Sequence, residues 1–139
     1  MTEREQDDLG KDEESANLSK AFEELESASL LLDNNFIDDA VSCAYYSVFH
    51  AIVALLRRNN VNLDIHKHAY IIEQFQIRFV KTNILQKQIL TKIQQIKKAR
   101  EQSDYSAAAG TTPGKAARML DDARSVVSQI QALLDEAPQ

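Results

Sequence analysis

Tryptophan is absent from these 139 residues, cysteine occurs once, glycine three times and proline twice. Each scarcity excludes something. A single thiol, Cys43, forms neither an intramolecular disulfide nor a cysteine-based zinc site. Three glycines and two prolines, one of them the penultimate residue, leave few breaks in the chain. No Gly-rich phosphate loop, G-x-S-x-G elbow or H-E-x-x-H helix occurs, nor a recognition-helix signature for duplex DNA. The N-terminus is acidic where a secretory leader is basic and then apolar. No apolar run is expected to be long enough to cross a bilayer, so no membrane partner is expected and the expected location is the cytoplasm.

Ala, Leu, Ile, Gln, Glu and Lys dominate what is present, and these are helix formers. Length and composition together predict one all-α domain. The net charge of −5 hides an asymmetry. Residues 1–40 carry three basic and thirteen acidic side chains, for −10, whereas residues 76–124 carry ten basic and four acidic, for +6. The basic half is either a nucleic-acid surface or a set of solvated helix faces, the latter in keeping with the helical recurrence of Lys87, Lys92 and Lys97.

Residues 1–14, nearly free of large apolar groups, are expected to be a disordered acidic tail, with a helical bundle over 15–136. A first helix is expected from Ser15–Asn17 to Asp33, striped by Leu18, Phe22, Leu25 and Leu32 beside Ala21 and Ala28. A second follows from Ile37 to Arg58, with Ile37, Val41, Ala44, Val48, Ile52 and Leu55 on one face. Its other face mixes Asp39, Cys43, Tyr46, His50 and Arg57 with small apolar residues, so this helix is placed centrally, against another helix or a second subunit. A third helix is expected over His68–Val80 and a fourth over Ile84–Tyr105. Thr112 as N-cap and Pro113 at the first helical position open a fifth, running to Leu134. Short links between long helices predict a four- to five-helix up-and-down bundle.

On the fourth helix Leu85, Ile89, Ile93 and Ile96 form a stripe whose next position is Arg100, followed one turn later by Asp104. A guanidinium drawn into a seam must be paired, and Asp104 is the local partner. The pair is either an intrahelical clasp or an anion-binding arginine held in place by Asp104. Tyr46, His50 and Arg57 are polar handles on the second helix; Tyr45 and Tyr46 split across two faces, so at least one of them is packing with its hydroxyl satisfied. Cys43 reads as a small buried apolar residue. His66 and His68 form an His-x-His pair, but no third ligand or carboxylate stands at a diagnostic spacing, so neither a metal nor another cofactor is expected.

Four segments in order, DDAVSCAYYSVFHAIVALL, HAYIIEQF, FVKTNIL and AREQSDY, resemble the HEPN domain family, over about Leu18 to Leu134. The resemblance implies a helical bundle that commonly dimerises, and a role as nucleotide- or RNA-binding module or metal-independent RNase. Many such RNases are toxins paired with a small nucleotidyltransferase antitoxin. The RNase motif is an arginine, four to six residues, then a histidine. Arg100 matches the arginine, but the permitted positions hold Tyr105, Ser106 and Ala107. The expected function is therefore a module that binds a nucleotide or RNA phosphate, partnered with a nucleotidyltransferase. Arg100, Asp104, Tyr105, Tyr46 and His68 are the expected ligand-binding residues. The alternatives are an active endoribonuclease toxin, with Arg100 and His50 as its catalytic pair, and a structural interaction domain without ligand. Arg57, at the end of the second helix, is expected to be structural.

Overall fold

The protein is described by a computed structural model that covers the backbone of residues 3–105 and 111–136, with side chains from residue 13 onward except Tyr105. The described residues form five α-helices: α1 (Glu3–Asp33), α2 (Ile37–Arg58), α3 (His68–Phe75), α4 (Gln88–Tyr105) and α5 (Pro113–Glu136). The described residues contain no strand. A π-helical turn, Gln76–Val80, continues α3, closed by Lys81 N–H on the Gln76 carbonyl at 2.9 Å. The all-α bundle expected from composition is the fold observed.

With glycine so scarce, asparagine ends the helices. Asn35, Asn60 and Asn83 adopt φ of 66°, 59° and 63°, the left-handed region that asparagine tolerates better than most side chains. After α1, Phe36 N–H reaches the Leu31 carbonyl (2.8 Å) and Asn35 N–H the Leu32 carbonyl (3.0 Å); after α2, Val61 and Asn60 repeat the pattern on Leu56 and Arg57. This is the Schellman closure, which satisfies carbonyls orphaned at a helix end. Thr112 caps α5 as expected, its Oγ1 accepting from Lys115 N–H at 3.2 Å.

Helix α2 is the core helix, buried almost continuously from Ala51 to Leu56. By length and composition it is long and apolar enough to cross a membrane, contrary to the expectation above, yet 72% of its most apolar stretch is buried inside the bundle. The apolar side chains that create the membrane-like signal are those α1, α4 and α5 pack against. Fully buried Ile52, Leu56, Phe75 and Ile93 each contribute about 1.5–3 kcal/mol of transfer free energy.

Three expected boundaries or stripes are corrected. Helix α1 begins at Glu3, not near Ser15, and so extends back through the stretch expected to be a disordered tail. Part of the reason is visible in two ion pairs. Arg58 Nε donates to both carboxylate oxygens of Glu14 (2.9 and 3.0 Å), and Arg57 Nη1 meets Asn17 Oδ1 at 3.1 Å and Glu13 at 3.2 Å. Arg58 Nη1 also reaches the Leu134 carbonyl at 3.3 Å, so α1, α2 and the end of α5 meet at one point. Along α1 the buried contact is made by Ala21, Leu25 and Ala28, while Phe22 is 36% exposed. Small residues let α1 approach α2 closely, and Phe22 turns outward. Finally, α4 starts at Gln88 rather than Ile84.

Candidate functional site

The apolar stripe of α4 ends on Ala99, which is buried, and Arg100 stands at the edge of the seam with its side chain 25% exposed. Both i+3 and i+4 from Ile96 fall near the same face, so the smaller residue enters the core and the arginine stem lies along its rim. The guanidinium head crosses to α2. Its Nη2 donates to the Tyr46 hydroxyl at 3.1 Å, and its Cζ lies 4.8 Å from the centre of the Tyr45 ring and 5.1 Å from that of Tyr46. Two aromatic rings therefore hold the cation in place.

Asp104 is the expected partner, but the contact is one of charge more than of hydrogen bonding. Arg100 Nε and Asp104 Oδ2 are 3.4 Å apart, with Asp104 40% exposed, yet among the described residues Nε is buried without a hydrogen-bonded acceptor. A buried N–H on a cation that lacks an acceptor is an unmet demand for an anion or a water.

Tyr45 links the arginine to a histidine. Its hydroxyl lies 3.0 Å from His68 Nδ1 at the start of α3, and the imidazole stacks on Phe49 with ring centres 4.0 Å apart. Burial pushes the Tyr45 phenol up to about 12, against the opposing pull of Arg100. Burial also holds His68 below its usual range, helped by the charges of Arg100 and Lys97. Both groups are thus neutral at pH 7. A buried phenol needs an acceptor for its proton, and His68 Nδ1 is the partner found for it among the described residues. A phenol that donates to Nδ1 leaves the imidazole proton on Nε2.

His50 lies beside this group rather than in it. Its ring centre is 6.4 Å from that of Tyr46, its Nδ1 is buried without a partner among the described residues, and burial lowers its basicity while Glu24 opposes the shift. Cys43 is half-buried, with burial and a hydrogen bond to the Glu24 carboxylate pushing its thiol up to about 11, so it stays protonated. His66 is exposed, and its backbone N–H bonds to Asp64 Oδ1 at 3.0 Å. No group of residues among those described is arranged to hold a metal ion.

Of the residues expected at the site, Tyr46, His68, Arg100 and Asp104 come together at the α2–α3–α4 junction, and the Tyr105 side chain lies outside the described residues. Sequence reasoning missed the parts played by Tyr45 and Phe49. The available signal was their four-residue spacing on α2, which places both rings on one face.

The M. jannaschii protein named "Putative toxin MJ0605" is 33% identical over 119 residues, 84% of either chain. Another from Methanocaldococcus jannaschii, "Putative toxin MJ0142", is 34% identical over 90 residues, 65% of this chain and 60% of its own length. A Pyrococcus horikoshii protein, "UPF0332 protein PH1297", is 43% identical over 65 residues, 47% of this chain and 44% of its own. The similarity thus spans less than two thirds of the latter two relatives. Residues 15–133 match the HEPN domain, and by that match over most of its length the chain belongs to the HEPN domain family.

Proposed function

We propose that this HEPN module binds the phosphate of a nucleotide or RNA at Arg100, as one component of a toxin–antitoxin-type pair with a nucleotidyltransferase. The observation that carries the reading is Arg100 Nε, buried and, among the described residues, without a hydrogen-bonded acceptor, on a guanidinium already oriented by Tyr45 and Tyr46. A planar fork held against two rings suits the oxygens of a phosphate. His68 Nε2–H is a second donor for the same anion. The toxin names of relatives support the pairing, and the nucleotidyltransferase is the partner that the family resemblance implies. Calorimetric titration of nucleotides and a short RNA into wild type and Arg100→Lys tests the site. Weaker binding to the lysine variant is expected, and equal binding would overturn the reading.

The endoribonuclease reading requires a histidine lone pair at the bound phosphate to take the 2′-hydroxyl proton. His68 Nδ1 stands 3.0 Å from the Tyr45 hydroxyl; with the phenol as donor that lone pair is occupied, which favours binding over cleavage. Incubation with total RNA in EDTA is expected to leave the RNA intact. Homodimerisation belongs to the same proposal. The Tyr46/His50 side of α2 is met within the chain by Arg100 of α4 and, at Cys43, by Glu24 of α1, so the exposed flank of α4 is the proposed dimer surface. Light scattering at high micromolar concentration decides between monomer and dimer.

A further inference from the structure

On the opposite side of α4 a groove of about 360 Å³ runs between α4 and α5, lined by Lys98, Lys115 and Arg118, by the amides of Gln95 and Gln102, and by Met119 on its apolar floor. Lys98 precedes Arg100 by two positions, roughly 200° around the helix, so this groove and the Arg100 site share no side chain. Its charge is of one sign: no carboxylate lines it. The pairing of the neighbours sharpens the contrast. Lys97 has Glu101 one turn on, at 4.0 Å, and Arg124 has Asp121 at 3.4 Å, whereas Lys98 has Gln102 at the same i+4 spacing. Among the described residues, none of the three groove cations pairs with a carboxylate. Three like charges line one groove in a chain that is −5 overall, an arrangement that an anion relieves.

We infer that the α4–α5 groove is a second anion site, built for the phosphate esters of an RNA strand or a free nucleotide and separate from the Arg100 site. Arg118 presents a fork that matches phosphate oxygens, the lysines supply point charges, and the two amides both donate and accept, as ribose hydroxyls require. The Met119 and Ala99 floor gives sugar carbons an apolar seat. Acidic peptides match the charge but not this mixed donor–acceptor lining.

The test is fluorescence anisotropy of a labelled single-stranded RNA over a salt series, with ATP and polyglutamate as competitors. Lys98→Gln/Arg118→Gln is expected to weaken RNA binding about tenfold and to flatten the slope of log affinity against log salt by about 1.4, since each phosphate neutralised on a single strand contributes about 0.7. Gln102→Glu, which supplies Lys98 with an internal partner, is expected to weaken it in the same direction without removing a cation. Competition by ATP that the double variant abolishes identifies the mononucleotide as the source, and its absence identifies the strand. Arg100→Ala is expected to leave the salt-slope difference between wild type and the groove variant intact, so failure of the Arg100 reading is distinguishable from failure of this one. Unchanged affinity and slope in the folded double variant overturns the site, as does polyglutamate competing as strongly as RNA.

Discussion

The Tyr45 hydroxyl and His68 Nδ1, 3.0 Å apart, tie the centre of α2 to the first residue of α3. The bond holds an imidazole that packs on Phe49 and on the two tyrosines around Arg100. Tyr45→Phe keeps the ring and removes only this bond. It is expected to cost about 1 kcal/mol of stability, to mix the His68 tautomers in nitrogen NMR spectra, and to weaken phosphate binding several-fold. An unchanged His68 spectrum would show that Tyr45 does not orient it.

The close α1–α2 contact gives a second expectation. Ala21 and Ala28 are completely buried, and Ala28→Leu forces a larger side chain into that space, at a cost of about 1–3 kcal/mol. Phe22→Ala, at a position read as core from the sequence but 36% exposed, is expected to cost less than the alanine enlargement. Urea denaturation of both variants checks the ranking.

Stability depends on pH through two histidines. Burial lowers both His50 and His68 from the ordinary value of 6.5. The unfolded chain then binds protons that the folded chain refuses, so stability is full above about 6.5 and falls as pH drops from there through the folded values. His50→Gln and His68→Gln should each flatten this decline. Thermal melts from pH 8 to pH 5 read it directly, and an identical slope in both variants would contradict the burial account.

The latch at the far end of the bundle is separate from the site. Glu14 is only 9% exposed and receives two hydrogen bonds from Arg58, so Glu14→Gln is expected to cost about 1–2 kcal/mol. Arg57, held by Asn17 and Glu13, is structural by the same geometry. Arg57→Gln should leave nucleotide affinity within a few-fold of wild type, and total loss of binding in a folded protein would refute its separation from the site.

Periodicity made α2 and α5 legible nearly to the residue, because apolar stripes bounded by Asn-rich stops and the Thr112–Pro113 start leave little choice. Arg100 was legible as a charge at a core-register position. The start of α1 was not, because its side of the evidence lies in Arg57 and Arg58, some forty residues away in sequence. The part played by Tyr45 was hidden for the same reason: its ring packs as expected, but its hydroxyl partner belongs to another helix. The π-helical turn after Phe75 shows no breaker in QIRFV. Local pattern names which faces are buried, and long-range polar pairing decides where they meet.

The central claim is that Arg100 is a phosphate-binding group oriented by its neighbours, and titration calorimetry of nucleotides and a short RNA into wild type, Arg100→Lys and Asp104→Ala tests it most directly. Arg100→Lys should weaken binding about tenfold, because a point charge replaces a fork held against Tyr45 and Tyr46. Asp104→Ala should weaken it less, since the aspartate is 40% exposed and meets Nε at 3.4 Å without a directed hydrogen bond. Equal affinity in all three folded proteins would contradict the account and leave Arg100–Asp104 as a structural clasp.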